Sequence, residues 1–176
     1  MLSILQLIVD TIATVLGGVL LLRFWMQAIR VRPPAAVASF TFTLSDWLVR
    51  PLRRLVPGVG GYDWASLIGA FLVVFLATSV LFLSGKTGAT VFLMALYRFL
   101  NWILYGFMAL LVVEAIFSWI NPQAPLAPLV RALNDPLLRP LRKVVPLLGG
   151  LDLSMLVALI LLQIAQLLLG MAFGFR

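Results

Sequence analysis

The sequence predicts an all-α integral membrane protein with four transmembrane helices arranged in two repeats of like orientation. The 176 residues are 63% apolar and only 11% charged, whereas soluble domains average roughly 45–50% apolar and 25% charged. Four apolar stretches are long enough to cross a bilayer, and a basic segment between apolar stretches occurs twice. A water-soluble bundle is disfavoured because the other residues supply too little polar surface.

Each predicted span has the length of about 20 mostly apolar residues that a bilayer core requires. We interpret the first as a retained span and not as a cleaved signal, because no Lys or Arg precedes its apolar run. Gln163 and Gln166 are the most polar residues of the fourth span, and we expect them to form an interhelical hydrogen bond. The four spans are predicted at residues 2–22, 64–83, 89–120 and 153–173.

Positive charges predict the orientation of the spans. Basic residues in short loops stay on the cytoplasmic side of a membrane. Ten of the 13 Lys and Arg residues lie within or beside the connections that follow the first and third spans: Arg23, Arg30, Arg32, Arg50, Arg53, Arg54, Arg131, Arg139, Arg142 and Lys143. We therefore expect both connections in the cytoplasm and both termini outside.

The chain contains an internal repeat at a constant offset of 89 residues. Residues 46–63 align without a gap with residues 135–152, and eleven of the eighteen positions are identical. Each half is a span, a basic connection and a second span, which predicts two domains at residues 1–88 and 89–176. Because two spans separate equivalent points, the halves should share one orientation, related by an axis along the membrane normal.

The repeated segment predicts a short basic amphipathic helix in each half, at residues 46–56 and 135–145. Apolar residues recur there at the spacing of one helical face. Such a helix beside a span should lie in the plane of the interface with its apolar face toward lipid, and Pro51 and Pro140 should kink or break it. The residues expected to bind anionic lipid or a partner protein are Arg50, Arg53, Arg54, Arg139, Arg142 and Lys143.

An aspartate stands before the second span and another before the fourth. We expect Asp63 and Asp152 to cap the helices that follow, because a carboxylate at this position accepts hydrogen bonds from free backbone N–H groups and interacts favourably with the helix dipole. A shared ion site is the alternative for these two residues. Asp135, followed by Pro136, predicts the start of the second amphipathic helix.

The repeated segment resembles the signature of the YggT family of small membrane proteins. The string from Asn134 to Ser154 carries this resemblance, and Ser118-Trp-Ile-Asn-Pro122 is similar to the element that precedes the signature. Arg50-Pro-Leu-Arg53 in the first half resembles the family's two-repeat proteobacterial members. The resemblance implies a protein of the bacterial inner (cytoplasmic) membrane without established enzymatic activity. It also implies associations with osmotic stress, ion uptake and assembly of membrane complexes.

Four ionisable residues within or beside the spans are expected to pair, since a charge at the bilayer centre costs a few kcal/mol. The repeat offset places Asp10 level with Arg98, and Arg23 level with Glu114, to within roughly 3 Å of depth. We expect the ion pairs Asp10–Arg98 and Arg23–Glu114 between the first and third spans. In the alternative, both arginines extend to the lipid headgroups.

Composition narrows the possible functions. The chain has no Cys and no His, so we expect no enzyme, no cofactor and no metal site. Orientation alone explains the basic residues, so no nucleic-acid partner is expected. Two functions remain. The first is a scaffold or assembly factor that binds anionic phospholipids, a partner membrane protein or another copy of itself. The second is an ion channel or transporter subunit that acts in osmotic stress. The second span has few polar residues, which disfavours a monomeric pore.

Overall fold

The computed structural model describes residues 2–145 and 153–174, and every regular element in these ranges is helical. In chain order these are α1 (Leu2–Ala28), α2 (Ala35–Leu55), α3 (Trp64–Ser79) with a 3₁₀ extension (Val80–Ser84), α4 (Gly88–Ile120), α5 (Ala127–Arg142) and α6 (Ser154–Phe173). Four of the helices are long and apolar enough to cross a membrane: α1, α3 with its extension, α4 and α6. The predicted all-α membrane fold is confirmed.

The two connecting helices, α2 and α5, are longer than the sequence predicts. They begin at Ala35 and Ala127 and not at the predicted residues 46 and 135. Burial continues upstream of the repeated segment, and packing against the bundle therefore extends each helix. The buried residues in these upstream turns are Thr41, Ser45, Ala127, Leu129, Val130, Leu133 and Asn134.

Prolines inside α2 and α5 do not end these helices. Pro51, Pro136 and Pro140 lie within the helical ranges, and all three are exposed. A proline on the outer side removes one backbone hydrogen bond without disturbing the packed side. The expected breaks at Pro51 and Pro140 are therefore absent. The expected start of α5 at Asp135 is also wrong, since that residue lies inside the helix.

The chain divides into two compact units, and the boundary lies inside α4. The first unit extends to Trp102, and the second begins with the next residue. This division differs from the domain boundary predicted after residue 88, because the N-terminal turns of α4 belong to the first unit. Aromatic packing shows this directly: the Phe71 ring lies 6.0 Å from Phe92 and 5.5 Å from Phe99 between centroids.

In the first unit, α1 packs against α3, and α2 packs against both. Gly69 of α3 lies under α2, where an added Cβ would be 3.3 Å from Leu52 and 3.5 Å from Leu48. Gly60 and Gly61 adopt positive φ between α2 and α3, which allows a sharp turn there. Leu48 and Leu52 of α2, expected to face lipid, thus pack against α3 because the glycine lets the two helices approach closely.

The second unit has its own core between the last part of α4, α5 and α6. One cluster of buried residues in this core consists of Leu111, Leu138, Ala158 and Leu162. Partly buried apolar residues surround them, including Phe107 and Met108 of α4. The apolar side of α5 is therefore also used to pack against protein.

We expect Gly17→Ala to lower the free energy of unfolding by about 1–3 kcal/mol, because overpacking displaces neighbouring side chains. A Cβ at Gly17 would overlap the indole of Trp102. Thermal denaturation of the purified protein in detergent measures the effect. Gly18→Ala is the matched control, since nothing lies within 4 Å of a Cβ there. Equal stability of the two variants would contradict this packing.

Candidate functional site

The first unit buries a guanidinium where α1, α2 and the start of α3 meet. Arg23 is only 5% exposed. Its Nη1 donates to Ser45 Oγ at 2.6 Å and to Asp46 Oδ1 at 2.7 Å, and its Nε lies 3.4 Å from Asp63 Oδ2. The ring of Phe42 lies over the guanidinium, 4.8 Å from Cζ to centroid, a favourable cation–π distance. One side chain of α1 thus contacts both α2 and the start of α3.

Asp63 caps α3 and forms an ion pair at the same time. Its carboxylate accepts hydrogen bonds from the Ser66 backbone N–H at 3.4 Å and the Ser66 hydroxyl at 2.6 Å, which confirms the predicted cap. Arg53 donates to the same carboxylate from Nη2 at 2.6 Å and from Nε at 3.2 Å, a bidentate arrangement. Asp152, the other predicted cap, lies outside the described residues.

Neighbouring cations keep both aspartates of this site ionised. The hydrogen bond from Arg23 lowers the pKa of Asp46 below its ordinary value. Burial acts to raise the pKa of Asp63, but hydrogen bonds from Arg53 and Ser66 outweigh burial, so the pKa is lowered overall. The same bond to Asp63 raises the pKa of Arg53. We call this group the Arg23 cluster: Arg23, Ser45, Asp46, Arg53 and Asp63.

The second unit buries a carboxylate. Glu114 of α4 is 3% exposed, and its Oε2 accepts a 2.7 Å hydrogen bond from Asn134 Nδ2. The same nitrogen donates to the Leu110 carbonyl at 2.9 Å, and Arg142 Nη2 lies 3.5 Å from Glu114 Oε1. Glu114, Asn134 and Arg142 form the Glu114 cluster, which joins α5 to α4.

The structure contains one of the two ion pairs that the sequence predicts. Arg98 Nη2 lies 2.7 Å from Asp10 Oδ1, and Arg98 Nη1 donates to Thr78 Oγ1 at 3.3 Å. The predicted pair between Arg23 and Glu114 is wrong, because each binds partners within its own unit. Equal depth does not decide a pairing when a connecting helix brings another polar group closer.

Besides the side that packs against protein, helix α2 has an exposed basic face and an exposed apolar face. Arg50 is 78% exposed, and Arg54 is exposed on the same side. Phe40, Trp47 and Leu55 are 57%, 63% and 80% exposed, and their helical spacing places them together, next to the arginines. An apolar face adjoining a basic face is typical of a helix at a membrane surface.

Helix α5 has a basic face but a less apolar second face. Arg139 is 73% exposed and lies 3.1 Å from Asp135, an exposed pair that contributes little to stability. Lys143 is exposed as well. The positions equivalent to Phe40 and Trp47 hold Leu129, which is buried, and Pro136. The two helices thus share their cations and differ in their apolar exposure.

Sequence reasoning missed Ser45, Asp46 and Asn134 as members of the buried clusters. Ser45 and Asn134 are equivalent at the repeat offset, and both are fully buried. Asp46 stands four residues before Arg50 and recurs in the second half. A polar position repeated just before the basic segment is the signal that could have identified them.

These features define a small multi-pass helical membrane protein whose charged residues form ion pairs between its helices and lie along α2 and α5. Among the described residues, no group of His, Cys, Asp and Glu side chains could hold a metal ion. The family model described as CCB3/YggT matches residues 1–84 and 93–173. The chain belongs to this family, which confirms the resemblance seen in its sequence.

Three bacterial relatives match nearly the whole chain. A protein encoded in the proC 3′ region of Vibrio alginolyticus is 30% identical, over 97% of this chain and 95% of the relative. The YggT protein of Escherichia coli K12 is 32% identical, over 91% and 86%. Protein PA0392 of Pseudomonas aeruginosa is 33% identical, over 92% and 85%. No solved structure matches the chain.

Acid should destabilise the protein through Asp46 and Asp63. Their pKa values lie below the ordinary 3.8, so the unfolded chain binds more protons than the folded one in this range. The free energy of unfolding should be steady above about pH 5 and fall as the pH drops through the lowered pKa values. Denaturant unfolding in detergent between pH 3 and pH 7 measures this, at intervals of about one unit.

The variant Asp63→Asn removes the negative charge but keeps a side chain that can cap α3. Asparagine still caps a helix, but the variant leaves Arg23 without this partner, so we expect a loss of about 3–5 kcal/mol at pH 7 and a flatter pH profile. Asp63→Ala should lose about 1 kcal/mol more. Asp135→Asn, at an exposed carboxylate, is the control. A variant Asp63→Asn with the wild-type pH profile would rule out the assignment.

Proposed function

We propose that the chain is a non-enzymatic scaffold or assembly factor of the bacterial inner membrane, and that α2 and α5 bind anionic phospholipids. The exposed basic faces of these helices support this function. Arg50 and Arg139 are 78% and 73% exposed. Arg54 and Lys143 occupy equivalent positions, and both are exposed. Each cation near an anionic surface contributes about 1 kcal/mol, so four together favour such a surface strongly.

The lipid-binding set is narrower than the six residues that the sequence suggests. Arg53 and Arg142 are partly exposed, but they bind the buried carboxylates of Asp63 and Glu114. Their charge is therefore needed by the fold, and reversing it would unfold the protein before it reported on lipid. Of the four remaining cations, Arg50 and Arg139 form exposed ion pairs with aspartates of their own helices, which contribute little to stability, so all four can contact headgroups.

The apolar exposure of α2 supports an in-plane position at the membrane surface. Trp47 is 63% exposed, and tryptophan is enriched at the level of the headgroups. Phe40 and Leu55 lie on the same side of the helix. With these side chains toward the acyl chains, the adjoining Arg50 and Arg54 would lie level with the phosphates.

The alternative function is a channel or transporter subunit, and the polar contact of Asp10, Arg98 and Thr78 is the feature that favours it. Both members of the ion pair are partly exposed, at 29% and 25%. However, the hydroxyls of Thr78 and Ser79 each donate to a carbonyl of their own helix. Polar groups used in this way offer little to a moving ion.

We expect the double variant Arg54→Gln with Lys143→Gln to bind phosphatidylglycerol about 2 kcal/mol more weakly, or roughly 30-fold. Neither cation has an ion-pair partner among the described residues, so the fold should be unaffected. The rise in melting temperature when phosphatidylglycerol is added to the protein in detergent measures the affinity.

Lys86→Gln, at an exposed cation of the connection between α3 and α4, is the matched control and should behave as wild type. Phosphatidylcholine should stabilise all variants equally. Unchanged phosphatidylglycerol binding by the double variant would refute the lipid assignment. Ion flux through vesicles of the pure protein, abolished by Asp10→Asn, would support the transport alternative.

We also propose that α2 and α5 face the cytoplasm and that both termini lie outside, because most cations are in these two connections. The chain has no cysteine, so single-cysteine variants report topology cleanly. Lys86→Cys should react with a membrane-impermeant thiol reagent in intact spheroplasts, and Arg131→Cys only after permeabilisation. The opposite labelling pattern would reverse the orientation.

A further inference from the structure

The middle of α6 exposes an amide side chain. Gln163 lies nine residues after Ser154 and ten before Phe173, which places it about 14–15 Å from either end of the helix. Because α6 has the length and apolarity of a span, this depth is the centre of the hydrocarbon core. A polar side chain exposed to lipid there is unfavourable.

The interhelical hydrogen bond expected from Gln163 and Gln166 does not form within the described chain. Gln163 is exposed, and among residues 2–145 and 153–174 no group hydrogen-bonds to its side chain. Gln166 Nε2 is buried without a hydrogen-bond partner in these same ranges. Within the second unit, the polar group at Gln163 is therefore left available to another helix.

Gln163 lies in a stripe of exposed apolar residues on one side of α6. Leu156, Ile160 and Leu167 are 55%, 47% and 64% exposed. With Gln163 they follow a spacing of four, three and four residues, which is the seam of a helix that pairs with another. The side of α6 that packs in the core of the second unit lies elsewhere on the helix.

We propose that this stripe is a self-association surface, at which α6 of one copy packs along α6 of a second copy. The two Gln163 side chains hydrogen-bond to each other across the two-fold axis. An amide contains both a donor and an acceptor, so two identical side chains satisfy each other reciprocally, as an interface between identical surfaces requires.

The membrane favours a second copy over a foreign helix. All copies insert with the same orientation, so Gln163 of one copy is level with Gln163 of the other without adjustment. A foreign helix would need its own polar group at the same depth. A single polar residue in an apolar seam also specifies register and the number of helices, which fits a defined dimer.

Energy transfer between donor- and acceptor-labelled full-length protein tests the proposal. The label is placed at Lys86→Cys, away from α6, and the protein is reconstituted in phosphatidylcholine vesicles over a range of protein-to-lipid ratios. The otherwise wild-type protein should self-associate, and Gln163→Leu should weaken association roughly tenfold. Gln163→Asn, which retains the amide, should restore part of the affinity.

Two neighbouring leucines supply a matched control. Leu167 and Leu168 are 64% and 58% exposed, but only Leu167 lies in the stripe. Leu167→Ala should weaken association and Leu168→Ala should not, while both keep the wild-type melting temperature. Monomeric protein at every ratio, no effect of Gln163→Leu, or equal effects of the two leucine variants would each overturn the proposal. Because these vesicles contain no anionic lipid, the outcome is independent of lipid binding by α2 and α5.

Discussion

A buried guanidinium is costly without charged or hydrogen-bonding partners, so the burial of Arg23 requires carboxylates around it. Asp46 comes from α2 and Asp63 from the start of α3, so one side chain on α1 determines where both later helices begin to pack. The rotation of α2 follows from the same contacts. With Asp46 turned toward Arg23, Arg50 and Trp47 are left on the outside. The exposed surface of α2 is thus a consequence of a charge buried inside.

The two halves meet the same requirement with opposite charges. The first half buries Arg23 on α1, the helix before α2, and the second half buries Glu114 on α4, the helix before α5. In both halves, a fully buried polar residue of the following helix contacts that charge. Ser45 of α2 accepts a hydrogen bond from the guanidinium, and Asn134 of α5 donates one to the carboxylate. The two halves therefore join α2 to α1 and α5 to α4 in the same way, through a hydrogen bond to a buried charge. They share neither the sign of that charge nor its position in the alignment.

Features that depend on neighbours in sequence were predictable, and features that depend on the approach of distant helices were not. Length and apolarity define the spans, and a lone aspartate before an apolar run identifies Asp63 as a cap. Equal depth along α1 and α4 was sufficient to predict the ion pair between Asp10 and Arg98. It failed for Arg23, because a connecting helix reaches the guanidinium from the side. The true start of α2 was missed because Thr41, although fully buried, is polar and breaks the apolar pattern.

Helix α4 spans both compact units, and its first turns pack with the half of the chain that precedes it. Arg98 neutralises Asp10 there, and Trp102 covers Gly17. A molecule made of one repeat alone would hold Asp10 in the bilayer without its counter-ion and would leave the glycine surface bare.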